Sequence, residues 1–261
     1  MKKPKNIVFV HGWASGPYVW INQVSFFKDN YNVHTPQLLG YDTTQPLASC
    51  VNSADSGPKI FECTAQDIHA FIVEKDLNDV CLVGWSLGGM ISLKLASDLK
   101  KRISSLVLID TTVCFVQTKD FKYGVPISVV KKIFDKMKTD FKATLDWFYK
   151  FCFSSNERSR NEYGEVLKML GDVMAPLNEE ALKAGLKLLM EMDASYLLAD
   201  IDMPALIIHG RKDRVCPIAA AEFMAKGIRN SRLEIFETAG HAPFLTDPKK
   251  VNDLIEEFIA G

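Results

Sequence analysis

The sequence holds no long apolar run near its N-terminus, no C-x-x-C pair and no excess of either charge. Ile7-Val8-Phe9-Val10 is the first apolar stretch, and four residues are too few for a signal-peptide core or a membrane span. A cytoplasmic protein with no membrane contact is therefore expected. The six cysteines (Cys50, Cys63, Cys81, Cys114, Cys152, Cys216) and five histidines show no clustered spacing. That argues against a zinc site, predicts no metal or other cofactor, and leaves reduced, structural thiols as the expectation. Lys plus Arg number 31 against 32 Asp plus Glu, so no global field points to nucleic acid or a polyanion. Internal repeats, low-complexity tracts and a nucleotide-binding glycine loop are also lacking.

What is present is apolar material, 48% of 261 residues, enough for one large domain or a domain with an insertion. Short apolar runs alternate with helical stretches, the pattern of an α/β fold with a mostly parallel sheet. Strands are predicted at Ile7–Val10, Val80–Val83, Leu106–Ile109, Ala205–Ile208 and Leu233–Phe236, with a weaker one at Tyr31–Thr35. These runs are rich in Val, Ile and Leu without alternation, as strands buried on both faces should be. Thr64 is expected to cap a helix carrying Ile68, Phe71 and Ile72, and a second helix covers Leu87–Leu99. Asn178 is expected to cap a helix with Leu182, Leu186, Leu189 and Met190 on one face, and Asp247-Pro248 to open the last helix. The segment Tyr41–Pro58 reads as a surface loop. Between about Thr112 and Asp200 only helical periodicity is found. Residues 1–111 and 201–261 thus read as the core, and 112–200 as an inserted helical cap or lid.

Gly84-Trp85-Ser86-Leu87-Gly88-Gly89 is the most informative segment. It is a G-x-S-x-G element placed directly after an apolar strand and before a helix, the context a nucleophile elbow needs. A serine hydroxyl needs a base to take its proton. His241, in Thr238-Ala239-Gly240-His241-Ala242-Pro243-Phe244, follows the last strand and is the preferred base over His11, His34, His69 and His209. Asp213, in Gly210-Arg211-Lys212-Asp213-Arg214-Val215, is the preferred acid, with Asp110 at the end of the Leu106 strand as the competitor. The backbone N–H groups of Leu87 and of Trp13, in His11-Gly12-Trp13, are the expected oxyanion donors. The Trp13 indole would wall an acyl pocket. Phe148, Phe151 and Trp147, in an aromatic cluster with Phe141, Tyr149 and Phe153, are candidate substrate contacts.

These residues together resemble the α/β-hydrolase superfamily across most of the chain. A closer resemblance is to the pimeloyl-[acyl-carrier protein] methyl ester esterases of biotin synthesis. It rests on His11-Gly12-Trp13, Gly84-Trp85-Ser86-Leu87-Gly88-Gly89, Ala239-Gly240-His241-Ala242-Pro243-Phe244 and the segment Ala184-Gly185-Leu186-Lys187-Leu188-Leu189. The resemblance implies two-step hydrolysis of a methyl ester on an acyl chain borne by acyl carrier protein, and recognition of that acidic carrier by basic cap residues. From Thr112 to Leu170 the chain has eleven Lys/Arg and seven Asp/Glu, a local positive balance suited to such a partner. Where the family carries arginines around Asp140–Phe148, this chain has Ala143 and Trp147, which moves the expected carrier contacts to Lys142, Lys150, Arg158 and Arg160. The family's two leading antiparallel strands have no counterpart, so a sheet of about six strands is expected, with the Tyr31 strand at one edge. A monomer is expected.

Other chemistries on the same fold stay open: a general small-ester hydrolase, a thioesterase or a carbon–carbon hydrolase, since function lives in the site and not in the fold. A non-catalytic ligand-binding protein is disfavoured by the complete triad, and a dehalogenase by the serine at position 86.

Overall fold

The computed structural model describes residues 5–41, 54–174 and 177–261. Its centre is one six-stranded sheet in the order β2-β1-β3-β4-β5-β6. The strands are β1 (Asn6–Val10), β2 (Asn32–His34), β3 (Val80–Trp85), β4 (Ile103–Ile109), β5 (Ala205–Gly210) and β6 (Ser231–Phe236). Every neighbouring pair is parallel. Of the predicted strands, β1, β3 and β5 are legible because they are buried along their whole length, which leaves no polar face to alternate with. The short β2 forms one edge.

Helices cover the sheet: α1 (Ile21–Phe27), α2 (Gly57–Glu74), α3 (Leu87–Asp98), α9 (Ile218–Gly227), α10 (Pro243–Thr246) and α11 (Pro248–Ala260). Helix α3 buries residues almost all round, so its sequence carries little amphipathic signal. Helix α11 starts at Asp247, whose side chain accepts from the Lys250 N–H, and buries Val251, Ile255 and Ile259. Between β4 and β5 the chain builds a helical insert of α4 (Ile127–Thr139), α5 (Phe141–Cys152), α6 (Ser155–Arg158), α7 (Tyr163–Met174) and α8 (Glu179–Glu191). Asn178 caps α8 by accepting from the Glu180 and Ala181 N–H groups, at 2.9 and 3.2 Å.

Three expectations are corrected. Thr64 lies inside α2 and does not begin it; its hydroxyl donates to the Ile60 carbonyl one turn back. The helix starts seven residues earlier, because Pro58 fits the first turn, where its missing N–H costs no intrahelical bond. The Tyr41–Pro58 loop is correspondingly shorter, and its residues 42–53 lie outside the described residues. Finally, Cys63 on α2 is disulfide-bonded, whereas Cys81, Cys114, Cys152 and Cys216 are free and buried. The expectation of reduced thiols throughout fails at Cys63, while Cys50 lies outside the described residues.

Candidate active site

The chain passes from β1 to β2 on one side and then crosses to β3 on the other. This reversal opens a crevice at the carboxyl ends of β1 and β3, the place where open α/β sheets bind ligands. Ser86 leaves β3 into this crevice and Gly12 leaves β1 into it. A Cβ built on Gly12 would lie 3.1 Å from the Ser86 Cβ, so the two loops touch and a side chain at position 12 would crowd the serine.

Ser86 has φ 55° and ψ −119°, a left-sided conformation that L-residues adopt only under constraint. The constraint is visible: its N–H donates to the Ile109 carbonyl, and its carbonyl accepts from the Thr111 hydroxyl. The sharp turn lifts the side chain off the sheet at the N-terminus of α3, where free N–H groups and the helix dipole favour negative charge. Leu87 is the first residue of that helix.

His241 is buried on the loop after β6, and its Nε2 lies 3.0 Å from Ser86 Oγ. Its Nδ1 lies 2.7 Å from Asp213 Oδ2. The other Asp213 oxygen accepts from the Val215 and Cys216 N–H groups, at 2.7 and 3.0 Å. The carboxylate is thereby fixed with one oxygen aimed at the imidazole. An acceptor at Nδ1 keeps the proton there and leaves the Nε2 lone pair facing the serine hydroxyl.

The competitor Asp110 is fully buried and serves a different partner. Its Oδ1 accepts from the Gly210 N–H at 2.7 Å, and its Oδ2 has no partner among the described residues. Burial, and then the Asp213 charge, push its carboxyl well above the usual carboxylate range. His209 packs beside both acids with Nε2 donating to the Cys216 carbonyl at 2.8 Å, and burial lowers its basicity. Asp110, His209 and Asp213 form one compact set of ligand-type atoms, and Asp213, Cys216 and His241 another. Neither suits a cation as it stands. Both Asp213 oxygens are committed, and burial keeps the Cys216 thiol protonated.

The loop after β1 is organised by His11. The Leu38 N–H donates to His11 Nε2 at 3.0 Å, so Nδ1 carries the proton and donates to the Gly12 carbonyl. Burial pushes His11 down to about 4. A histidine that is harder to protonate in the fold than in the unfolded chain adds stability above its ordinary value of 6.5, and that stability is lost as pH falls through 4. Stability measured by urea unfolding should fall by about 3 kcal/mol between pH 7.5 and pH 4 from this group alone. A His11→Gln variant, which offers an oxygen to the same N–H, should lack that component. An identical pH dependence in the two proteins would refute it.

Trp13 is nearly buried; its Nε1 donates to the Leu182 carbonyl on α8 at 2.8 Å, and its ring meets Phe148 edge-on at 4.9 Å. The Tyr149 hydroxyl donates to the Ala14 carbonyl. The helical insert therefore rests directly on the loop beside Ser86. The structure splits the candidate aromatic set. Phe148 joins Trp13, but Trp147 is 39% exposed and stacks on Phe151, with Lys136 over the first ring and Arg214 over the second. Neighbouring positions on a helix point in different directions, so α5 sends Phe148 inward and this pair to the surface.

Of the basic residues expected to meet a carrier, Lys142 pairs with Asp146 at 3.0 Å, Lys150 is exposed in the last turn of α5, and Arg160 donates to the Thr246 carbonyl. Arg158 lines a surface cleft of about 540 Å³ together with Arg211, Lys212 and Arg214. The last three come from the loop after β5, which sequence reading used only for its aspartate.

An open parallel sheet, a strained serine at a strand-to-helix turn and a histidine–aspartate pair define a serine hydrolase of the α/β type. Residues 7–254 match the alpha/beta hydrolase family, and the chain belongs to it. Over its full length it is 33% identical to the full length of a pimeloyl-[acyl-carrier protein] methyl ester esterase from Aromatoleum aromaticum. It is 29% identical to one from Nitrosomonas europaea, over 94% of this chain and 92% of the relative. Among solved structures, an esterase from Exiguobacterium antarcticum superposes with a TM-score of 0.87 at 25% identity, covering 100% of this chain and 94% of that one. A bromoperoxidase from Bacillus anthracis superposes with a TM-score of 0.88 at 22% identity, over 99% and 92%, and shares the fold. With esterases among its full-length relatives, the chain is a carboxylic ester hydrolase. Among the described residues no helix is long and apolar enough to cross a membrane.

Proposed function

We propose that this protein is a serine carboxylesterase that hydrolyses the methyl ester of a pimeloyl chain borne by acyl carrier protein, a step of biotin synthesis. The observation that carries the chemistry is the connected chain Ser86 Oγ, His241 and Asp213, at 3.0 and 2.7 Å. His241 Nε2 takes the Ser86 proton as Oγ attacks the ester carbonyl carbon. The resulting oxyanion is held by the N–H groups of Leu87 and Trp13. When the tetrahedral species collapses, the carbon–oxygen bond to methoxide breaks, and the imidazolium returns its proton to give methanol. Water, deprotonated by the same imidazole, attacks the acyl-enzyme, and Ser86 leaves with the proton restored. Asp213 stabilises the imidazolium throughout. Ser86, His241 and Asp213 account for every proton, so the reading takes no cofactor.

The substrate assignment is supported by the names of the relatives. The cleft that brings Arg158 beside Lys212 and Arg214, with Arg211 in it paired to Glu237, supports an acidic partner, because clustered cations steer an acidic surface to the site. Lys150 and Arg160 extend the same charge over the insert, where Lys142 is shared with Asp146, and Trp13 with Phe148 would contact the acyl chain. Purified protein should therefore show a higher kcat/KM for methyl-pimeloyl carrier protein than for dimethyl pimelate. Arg158→Glu should reduce the first value about tenfold while leaving the second unchanged. Equal kcat/KM for carrier-bound and free esters would make it a general esterase instead.

A further inference from the structure

The histidine loop is held from outside the triad by one acidic side chain of the insert. Glu157, on α6, is almost completely buried. Its Oε2 accepts from the Ser154 N–H at 2.7 Å and from the Gly240 N–H at 2.8 Å, and its Oε1 accepts from the Thr246 hydroxyl at 2.6 Å. The first bond belongs to a capping box, in which the Ser154 hydroxyl oxygen accepts from the Glu157 N–H in return. A local helix cap needs no more than that. The bonds to Gly240 and Thr246 reach across 83 and 89 residues to the two sides of His241.

Neighbouring contacts fix the same stretch. The His241 N–H donates to the Cys152 carbonyl at 2.7 Å, and the Ser154 hydroxyl donates to the Thr238 carbonyl at 2.7 Å. From the sheet side, Trp85 Nε1 donates to the His241 carbonyl at 2.7 Å. A Cβ on Gly240 would stand 2.3 Å from the Cys152 carbonyl oxygen, so the fit between loop and insert admits only glycine there. Burying a carboxylate is costly unless donors satisfy it, and this one has three. One of these donors is the backbone N–H just before the base. Imidazole placement matters because a shift of about 1 Å can cost about a hundredfold in rate.

We infer that Glu157 is a positioning residue for His241, tying the insert to the loop that presents the imidazole to Ser86. This rests on the serine-esterase reading above. The insert is then part of the machinery that sets the base, and the basic residues flanking Glu157 at Arg158 and Arg160 sit one and three positions away from it. Arg160 also holds the Thr246 carbonyl, on the residue whose hydroxyl meets Glu157.

The test compares Glu157→Ala, Glu157→Gln and wild type in fluorophosphonate labelling of Ser86 and in p-nitrophenyl acetate hydrolysis, at a temperature where each is fully folded. Glutamine can keep the geometry, since its oxygen can accept both N–H groups and its NH2 can face the Thr246 hydroxyl, which turns to accept. Glu157→Ala should lower the labelling rate and kcat about tenfold to a hundredfold with KM little changed, and Glu157→Gln should restore both to within about threefold of wild type. A folded alanine variant with labelling and kcat like wild type overturns the inference. So does equal loss in the alanine and glutamine variants, which would make charge and not placement the operative property. If the alanine variant does not fold, Glu157→Asp decides. It keeps the charge but is one methylene too short to hold both Gly240 and Thr246, so a loss like that expected for alanine supports the inference and wild-type rates overturn it. Wild-type protein that is not labelled at Ser86 would instead overturn the esterase reading beneath it.

Discussion

Ser86→Ala should lower kcat toward a small aryl ester by about a million-fold while leaving the fold and the melting temperature close to wild type. The size follows from what is removed. The serine oxygen is the atom that bonds to the acyl carbon, and with it gone neither the imidazole nor the oxyanion donors have a covalent route to assist. What remains, about a thousandfold or more above water, comes from oxyanion donors and substrate placement alone. Stability should hold because alanine inherits the same positive φ and the same backbone bonds to Ile109 and Thr111, which do not involve the hydroxyl. The measurement pairs steady-state kinetics with a melting curve and circular dichroism. An alanine variant with near wild-type turnover would mean that the esterase activity arises elsewhere on the molecule.

The parts of this architecture legible in sequence are those whose physics is local. The β3 strand, the elbow and α3 occupy consecutive residues, so the apolar run, the glycines and the helical stretch can be read as one unit. Asp213 and His241 follow from chain order and from standing at strand ends, and the geometry then gathers them around Ser86. Local signals also misled. Gly57-Pro58 looks like a breaker, yet it opens α2, because proline in a first turn leaves no intrahelical donor missing. Trp147 and Phe151 look like channel walls because composition does not say which way a helix is turned. Their direction is set by α5 packing Phe148 on Trp13. Glu157 was within reach, since Ser154-Ser155-Asn156-Glu157 spells a capping box. Its long-range partner was not, because a backbone N–H at Gly240 has no residue identity to recognise. The basic cleft was missed for a related reason: Arg158 and the Arg211–Arg214 stretch are remote in sequence and meet only in the fold.

Asp213→Asn and Asp110→Asn should have opposite consequences, although both carboxylates are buried and lie at the ends of neighbouring strands. In Asp213→Asn the two N–H groups of Val215 and Cys216 will still require an acceptor, so the amide oxygen takes the place of Oδ1. The NH2 then faces His241 Nδ1, where a carboxylate oxygen stood at 2.7 Å. Two donors cannot share that contact. The imidazole must give up its Nδ1 proton and carry one on Nε2, aimed at Ser86, and a base protonated on its working nitrogen takes nothing from the serine. The expected loss is about ten-thousandfold in kcat, or about 5.4 kcal/mol of barrier at 1.36 kcal/mol per decade. Asp110→Asn should change turnover little. Burial and the Asp213 charge favour the protonated form of that carboxyl, for which asparagine is a near isostere, and the bond from the Gly210 N–H finds the same oxygen. Its signature should be in stability. A carboxyl that holds its proton more tightly in the fold than in the unfolded chain weakens the fold increasingly as pH rises above the usual carboxylate range. Asp110→Asn should therefore melt higher than wild type at pH 8, with the difference shrinking toward pH 4. Should Asp110→Asn abolish turnover while Asp213→Asn preserves it, the acid of the triad is Asp110 and the bond from His241 Nδ1–H to Asp213 is only structural.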